Sequence, residues 1–319
     1  MALNAPSSKL KTPPCLSLFK NSRIPQPYCN KTYSQQTLPK LGALRRSKYT
    51  GEKTSPCQAF TQPGRPQAKL MFLIETSNDA KSAQTGLIGE KITVPAYLPR
   101  LSRSRLLSLL EDSLRSCNST VISGRAGTGK TSLALDFART CGRKVAWYKV
   151  DAPEADLEVF FQYLLASIGT QRPGFGATLM PLVKALGPEQ ISLLAEAFVY
   201  ELAESKADPL LIVVEDLHLV CDSDWLVPFF KRLMPLLPSD VHMLITSRTM
   251  PPAPLWRMRS KQTLSVIEEE TLAFTRRETI ELFENFGLSP EQASIALDHS
   301  HGRAAALARF ASTICHLAS

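Results

Sequence analysis

VISGRAGTGKTSLALDF, residues 121–137, joins an apolar run, a glycine-rich octet and a helical pattern in that order. The octet GRAGTGKT has the spacing G-x-x-x-x-G-K-[ST]. Its glycines let the backbone wrap closely around an anion because no Cβ intrudes. The N–H groups at the start of the following helix would then face that anion. The segment therefore predicts a buried strand, a phosphate-binding loop and a helix.

The loop also offers a cation and a hydroxyl in the positions that nucleotide phosphates require. We expect Lys130 to neutralise charge on the β- and γ-phosphates and Thr131 to coordinate Mg²⁺. A glycine-rich turn without a ligand is the alternative, and the flanking strand and helix make it the weaker one. The residues predicted to bind the nucleotide here are Gly124, Arg125, Ala126, Gly127, Thr128, Gly129, Lys130, Thr131 and Ser132.

A pair of adjacent acids ends the second motif, LLIVVEDLH, residues 210–218. One carboxylate can hold Mg²⁺ and the other can polarise an attacking water. The sequence does not decide which of Glu215 and Asp216 takes which role, and a solvent-facing acid pair is the alternative. The predicted metal ligands are therefore Thr131, Glu215 and Asp216.

The third motif, VHMLITSR, is a buried strand that ends in Thr246, Ser247 and Arg248. In a parallel sheet the carboxyl ends of the strands line the ligand crevice. An arginine there can sense the γ-phosphate and its loss, although an ordinary surface arginine is the alternative. Together with the acid pair, the predicted catalytic residues are Glu215, Asp216 and Arg248.

Apolar strands alternate with helical patterns from about residue 101 to residue 270. This order predicts an α/β fold, a P-loop NTPase with a parallel β-sheet flanked by helices. The strands then stop, and TRRETIELFENFG opens with Thr275 and Glu278 at the spacing of a capping box. We expect three regions: a disordered basic tail over 1–90, a nucleotide-binding domain over 91–270, and, over 271–319, a small helical lid or the start of a winged-helix region.

The net positive charge of the chain comes from the tail alone. Residues 1–70 hold 12 Lys and Arg against Glu52 alone, whereas the remainder holds 25 basic and 28 acidic residues. The tail also contains nine of the 23 prolines, a composition that predicts disorder. An inert tail or a translation start at Met71 explains it better than a transit peptide. Nucleic-acid binding is therefore not supported, except non-specifically through the tail.

Seven dispersed cysteines without a CxxC pair predict reduced thiols and a cytoplasmic protein. No metal-ligand spacing is present; His299 and His301 lie two residues apart near the end of a predicted helix, and we expect both to be exposed. No apolar run approaches the length of about 18 residues that a membrane helix needs.

The three motifs in this order resemble the STAND class of signal-transducing P-loop ATPases, and above all the MalT-like ATP-binding regulators. LPRLSRSRLLSLL resembles the segment that contacts adenine in that family, which implies a cofactor-binding role for Arg103. LIVVEDLH resembles the Walker B strand, with His218 following it, and LITSR resembles the sensor segment. LAFTRRETIELF and HGRAAALARFA resemble parts of the lid. The resemblance implies ATP or ADP with Mg²⁺, slow hydrolysis and a regulatory switch.

The chain departs from the family pattern at two residues and in its length. Glu215 stands where the family more often has Asp, and Arg303 stands where an aromatic residue is common. No repeat array and no helix-turn-helix follow, so we expect a transcription-regulator-type ATPase without its output domain. Its expected partners are ATP and either another protein or a second copy on ATP binding. A non-enzymatic scaffold and a P-loop kinase or motor ATPase are the alternatives, while a GTPase would need an Asn-Lys-x-Asp motif.

Overall fold

The computed structural model describes residues 86–205 and 208–318. The predicted disordered tail lies outside the described residues, apart from residues 86–90. A short 3-10 helix over Gly89–Ile92 opens the described part of the chain. Over the same ranges, none of the helices combines the length and the apolar character that crossing a membrane requires.

Five parallel strands form one sheet in the order β2-β3-β4-β1-β5. The predicted α/β class with a parallel sheet is confirmed. The strands are β1 Ser119–Ser123, β2 Lys144–Lys149, β3 Leu210–Glu215, β4 Val241–Ser247 and β5 Leu264–Ile267.

The three central strands are buried along their whole length because both faces of the sheet are covered. Alternate side chains of β3 pack on opposite faces of the sheet. Ile212 and Val214 belong to one hydrophobic cluster, and Leu211 and Val213 belong to the other. All of these side chains are fully buried. This two-sided burial is the reason that LLIVVE shows no polar alternation.

Helices pack on both faces. The first two helices and the side chains that they bury, such as Leu106 and Phe137, cover one face. The next four cover the other face through a cluster of edge-to-face aromatic rings that includes Phe161, Phe198 and Phe229. The core helices are α1 Ser104–Ser116, α2 Lys130–Thr140, α3 Leu157–Gly169, α4 Leu179–Ala185, α5 Ile191–Glu204, α6 Leu226–Leu233, α7 Ala253–Trp256 and α8 Glu269–Leu272.

The sequence pattern predicts most of these helices, but it did not predict α4. That helix has only seven residues, contains Pro181 and follows a segment with two left-handed glycines, Gly174 and Gly176. A hydrophobic repeat over so few residues does not distinguish a helix from a loop. In α6 the helix ends at Leu233 and continues as a 3-10 turn, because Pro235 lacks the N–H that an α-helix would need.

Three helices follow the sheet, and we refer to them as the lid: α9 Arg276–Glu284, α10 Pro290–Ser300 and α11 Ala304–Ala318. The predicted capping box is present, since the Thr275 hydroxyl accepts from the Glu278 amide and the Glu278 carboxylate accepts from the Thr275 amide. The lid has its own small core, which includes Leu282, Phe283 and Leu307. The region after residue 271 is therefore helical, as expected.

Candidate nucleotide-binding site

The strand order brings the three sequence motifs to one edge of the sheet. Strand β4 lies between β1 and β3. At its end, the Ser247 carbonyl accepts a hydrogen bond of 3.2 Å from the Gly124 amide. The Thr246 hydroxyl accepts one of 3.1 Å from the Asp216 amide. The phosphate-binding loop and the acid pair are thus both anchored to the end of the sensor strand.

The loop has the backbone conformation that its glycines permit. Gly127 and Gly129 have φ values of 80° and 92°, in the region that residues with a Cβ disfavour. Helix α2 begins directly afterwards at Lys130, whose ammonium donates to the Gly124 and Arg125 carbonyls at 2.7 and 3.0 Å. Burial lowers the pKa of Lys130, and the negative charge of Asp216 offsets only part of this effect.

The hydroxyl of the loop lies against the first acid of the pair. Thr131 Oγ1 donates to Glu215 Oε1 at 2.5 Å, and Glu215 is only 4% exposed. A hydroxyl and a carboxylate are oxygen ligands of the kind that Mg²⁺ prefers, so the pair fits this metal. Among the described residues there is no cluster of three or more His, Cys, Asp or Glu side chains able to hold a metal ion. Nucleotide phosphates and water would therefore have to supply the remaining ligands.

The second acid lies in an unusual turn. Asp216 has a φ of 60°, the left-handed conformation that few non-glycine residues adopt. Its Oδ1 lies 3.7 Å from Nδ1 of His218. Burial lowers the pKa of His218, and the charges of Arg248 and Lys130 lower it further against the opposing effect of Asp216.

Arg248 lies at the carboxyl end of β4 and is exposed. Its charge lowers the pKa of both Lys130 and His218. Arg248 directly follows Ser247, whose carbonyl accepts the hydrogen bond from the Gly124 amide of the loop. The structure thus brings Lys130, Thr131, Glu215, Asp216 and Arg248 together at one edge of the sheet.

The lid contacts the phosphate-binding loop directly. The Ala305 amide donates to the Gly127 carbonyl at 2.9 Å, and the Arg303 guanidinium donates to the Ala126 carbonyl at 2.5 Å. The packing is close, since a Cβ added to Gly127 would lie 2.8 Å from the Cβ of Ala305. The residue that departs from the family pattern, Arg303, is therefore part of this contact.

Arg125 joins the loop to α8. Its amide and its Nε donate to the two oxygens of Glu269, both at 2.7 Å. These hydrogen bonds lower the pKa of Glu269. The Arg125 side chain is otherwise 77% exposed. Thr128, in the same loop, is buried and its hydroxyl donates to the Arg125 carbonyl at 2.9 Å.

Arg103, for which the resemblance implies contact with adenine, makes its hydrogen bonds to the segment that leads into the lid. Its guanidinium donates to the Leu272 and Ala273 carbonyls and to Glu278, at 2.8 to 3.0 Å, and lies 3.9 Å from the Phe274 ring centre. Burial would raise the pKa of Glu278, but hydrogen bonds from Arg103 and from the Thr275 amide outweigh it and lower that pKa to about 2. The adenine contact itself stays a prediction.

A cavity of about 590 Å³ opens beside the loop. This volume lies within the range of small-molecule sites. Its walls come from the segment before α1, from α2 and from the lid. Sequence reasoning identified Arg103, Gly127, Gly129 and Ser132 but missed the lid side, where a run of alanines gives no chemical cue. The other lining residues are Tyr97, Leu98, Pro99, Arg100, Leu101, Leu133, Asp136, Phe274, Leu282, Ala304, Ala305 and Ala308.

The parallel sheet and the glycine-rich loop at its carboxyl end define a P-loop NTPase fold. Residues 101–246 match the family model described as "AAA ATPase domain". Over 226 residues the chain is 28% identical to the HTH-type transcriptional regulator MalT of Serratia proteamaculans. The matched segment is thus similar to the ATPase domain of a MalT-like regulator. The match covers 69% of this chain and 24% of the regulator, so the chain spans about a quarter of that relative.

Two solved structures resemble the chain more distantly. A STAND protein with a tetratricopeptide repeat sensor from Pyrococcus horikoshii is 18% identical, with a TM-score of 0.37, over 67% of this chain and 30% of that one. A Walker-type ATPase of Pyrococcus abyssi is 15% identical, with a TM-score of 0.41, over 65% of each chain. Neither likeness is close enough to indicate a function.

Proposed function

We propose that the protein binds ATP with Mg²⁺, hydrolyses it slowly and acts as a nucleotide-dependent regulatory switch. The cavity beside the phosphate-binding loop carries this proposal, because its walls come from both the sheet domain and the lid. A nucleotide in that cavity would contact both parts. ATP and ADP would favour different lid positions if they bind those positions with different affinity.

The site residues divide the chemistry between them. Lys130 would exchange its loop carbonyls for phosphate oxygens, and Mg²⁺ would neutralise phosphate charge. The hydrogen bond between Thr131 and Glu215 favours these two residues for the metal. Asp216 is then left to orient the attacking water, and Arg248 to respond to the terminal phosphate.

The wider role of the protein rests on its relative. MalT is described as an HTH-type transcriptional regulator, and this chain spans about a quarter of it. We propose the same kind of regulatory role, with a protein partner or a second copy engaged on ATP binding. A cytoplasmic location is part of the same proposal and is supported by the dispersed cysteines.

The test is ATP binding and turnover by the full-length chain with Mg²⁺, beside Lys130→Ala and the control Lys231→Ala. Lys231 is an exposed lysine on α6, far in sequence from the loop. We expect Lys130→Ala to weaken ATP binding by about 30-fold or more, because it removes charge-assisted hydrogen bonds to phosphate. The control should bind ATP as the wild type does.

The outcomes separate the competing functions. Unchanged ATP affinity in folded Lys130→Ala would remove the site assignment. A folded wild-type protein that binds no nucleotide would favour a scaffold. Phosphate transfer to a small molecule, in place of release to water, would favour a kinase.

A further inference from the structure

The turn after β3 places a histidine ring beside the carboxylate of Asp216. His218 Nδ1 lies 3.7 Å from Asp216 Oδ1, and the two side chains are 12% and 22% exposed. Nδ1 is buried and has no hydrogen-bond partner among the described residues. A buried polar atom without a partner costs free energy, and such atoms in native structures call for an explanation.

The backbone holds this ring in place. Asp216 adopts the left-handed conformation, and its carbonyl accepts a hydrogen bond of 3.1 Å from the Leu219 amide. Leu217, directly before His218, and Val220, two residues after it, are buried in the main core cluster. A strained residue of this kind persists only where the surrounding structure enforces it, and such residues concentrate at functional sites.

The gap between the two side chains is small. An N–H···O hydrogen bond spans about 2.7 to 3.2 Å, so a shift of less than about 1 Å would form one. Hydrogen bonds in catalytic sites are often long before the substrate binds and shorten in the complex. The backbone amide of Asp216 already donates a hydrogen bond to the Thr246 hydroxyl. The backbone is therefore fixed, and only the carboxylate still needs a partner that orients it.

We propose that His218 is a positioning residue that donates Nδ1–H to Asp216 Oδ1 and thereby orients the carboxylate toward the attacking water. The proposal deepens the proposed function, because it depends on Asp216 acting on that water. It also assigns a purpose to a ring nitrogen that packing alone leaves buried and unpaired. A histidine that only fills space would have no need of a proton on Nδ1.

The first test reads the tautomer of the ring and needs no turnover. The full-length chain is labelled with ¹⁵N-histidine, and the His218 ring is assigned by its loss in His218→Asn. At about pH 8, where an ordinary imidazole is neutral, we expect the ¹⁵N shifts to show the proton on Nδ1. A proton on Nε2, with Nδ1 bare both with and without Mg²⁺ and ADP, would overturn the proposal.

The second test separates positioning from packing. His218→Leu keeps an apolar side chain but removes the donor, whereas the amide N–H of His218→Asn can replace Nδ1–H. We expect His218→Leu to lower kcat roughly 10- to 100-fold, as loss of an orienting partner does, with the Kd for ATP changed less than about two-fold. His218→Asn should retain most of the wild-type kcat.

If His218 acts only through Asp216, the effects of substitutions at the two residues should not add. In an Asp216→Asn background, His218→Leu should cause little further loss, because residues that act as a unit are not additive. Wild-type kcat in His218→Leu, or an equal loss in both backgrounds, contradicts the proposal. A wild type without any turnover would refute both the proposed hydrolysis and this role of His218, whereas a proton on Nε2 in a wild type that hydrolyses ATP would refute the role of His218 alone.

Discussion

The sheet core and the seam between the loop and the lid are held together by different forces. We define the lid seam as two sets of contacts: those of Arg103 and Arg125 with α8 and the segment that leads from it into the lid, and those of Arg303 of the lid with the phosphate-binding loop. The core consists of apolar and aromatic side chains, most of them fully buried. The seam consists mainly of guanidinium groups bonded to carbonyls and carboxylates.

The difference bears on how the molecule can move. Apolar burial is lost only when the layers separate, which amounts to unfolding. A seam of a few charged hydrogen bonds can open locally, at a free energy below that of global unfolding. We therefore expect the lid to detach from the loop while the sheet stays intact. Three predictions test this contrast.

The largest effect should come from the aromatic cluster. Phe161 is fully buried and its ring centre lies 4.9 Å from that of Phe229. Phe161→Ala should lower the free energy of unfolding by about 3–5 kcal/mol, because it removes apolar contact and leaves a cavity. Denaturant unfolding followed by circular dichroism measures this loss.

The control for this change is Tyr200→Ala, on the exposed side of α5. We expect a change of less than about 0.5 kcal/mol there. Equal losses in the two variants would mean that the aromatic cluster does not dominate the stability of the core.

The second-largest effect should be a pH dependence of the free energy of unfolding, which arises from a histidine in the core. His242 is buried, and its ring nitrogens bond to the Thr120 hydroxyl and the Cys117 carbonyl at 2.9 and 3.1 Å. Burial, with a smaller effect of Arg143, lowers its pKa from 6.5 to about 4. The unfolded chain therefore binds the proton more readily, so stability is full above pH 6.5 and falls as pH drops toward 4. The loss should reach about 3 kcal/mol.

The pH dependence due to His242 distinguishes the core from the lid seam, because the seam should not weaken between pH 7 and pH 4. The pKa of Glu278 is about 2 in the folded protein, so its pair with Arg103 stays charged until the pH falls well below 4.5. Unfolding measured between pH 4 and 7 should show the loss in the wild type and a weaker one in His242→Gln. A pH-independent wild type would contradict the assignment to His242.

The smallest effect should be confined to the seam. Gly127→Ala would bring a Cβ within 2.8 Å of the Cβ of Ala305. We expect the lid to shift away, so that the amides at the start of α11 exchange hydrogen about five- to ten-fold faster, while those of β3 and β4 do not change. Hydrogen exchange followed by mass spectrometry without nucleotide measures this.

Gly142→Ala is the matched control, since Gly142 also has a positive φ of 68° but no described atom lies within 4 Å of an added Cβ. Gly142→Ala therefore introduces the same kind of backbone strain as Gly127→Ala but no steric clash. Adding Ala305→Gly to Gly127→Ala removes the colliding group and should restore slow exchange. Faster exchange in the control, or no restoration, would show that strain in the loop and not the lid contact is responsible.

The sequence was informative where chemistry and periodicity are local. The octet around Lys130 and the apolar run before Glu215 predicted strands, a loop and their common edge, because a parallel sheet collects its strand ends. The partners of Arg103 lie about 170 residues further along the chain, and no periodic pattern links them. The lid side of the cavity was missed for the same reason, since the small side chains of Ala304 and Ala308 acquire a role only through packing.

The position of β4 has a further consequence for mutagenesis. Because β4 lies between β1 and β3, the loop and the acid pair are held two strand spacings apart, roughly 10 Å. Hydrogen-bonded main chain fixes this distance, and the side chains of the strands do not set it. Random substitution within the strands should therefore change how much folded protein accumulates. In the molecules that do fold, the distance between the phosphate-binding loop and the acid pair should not change.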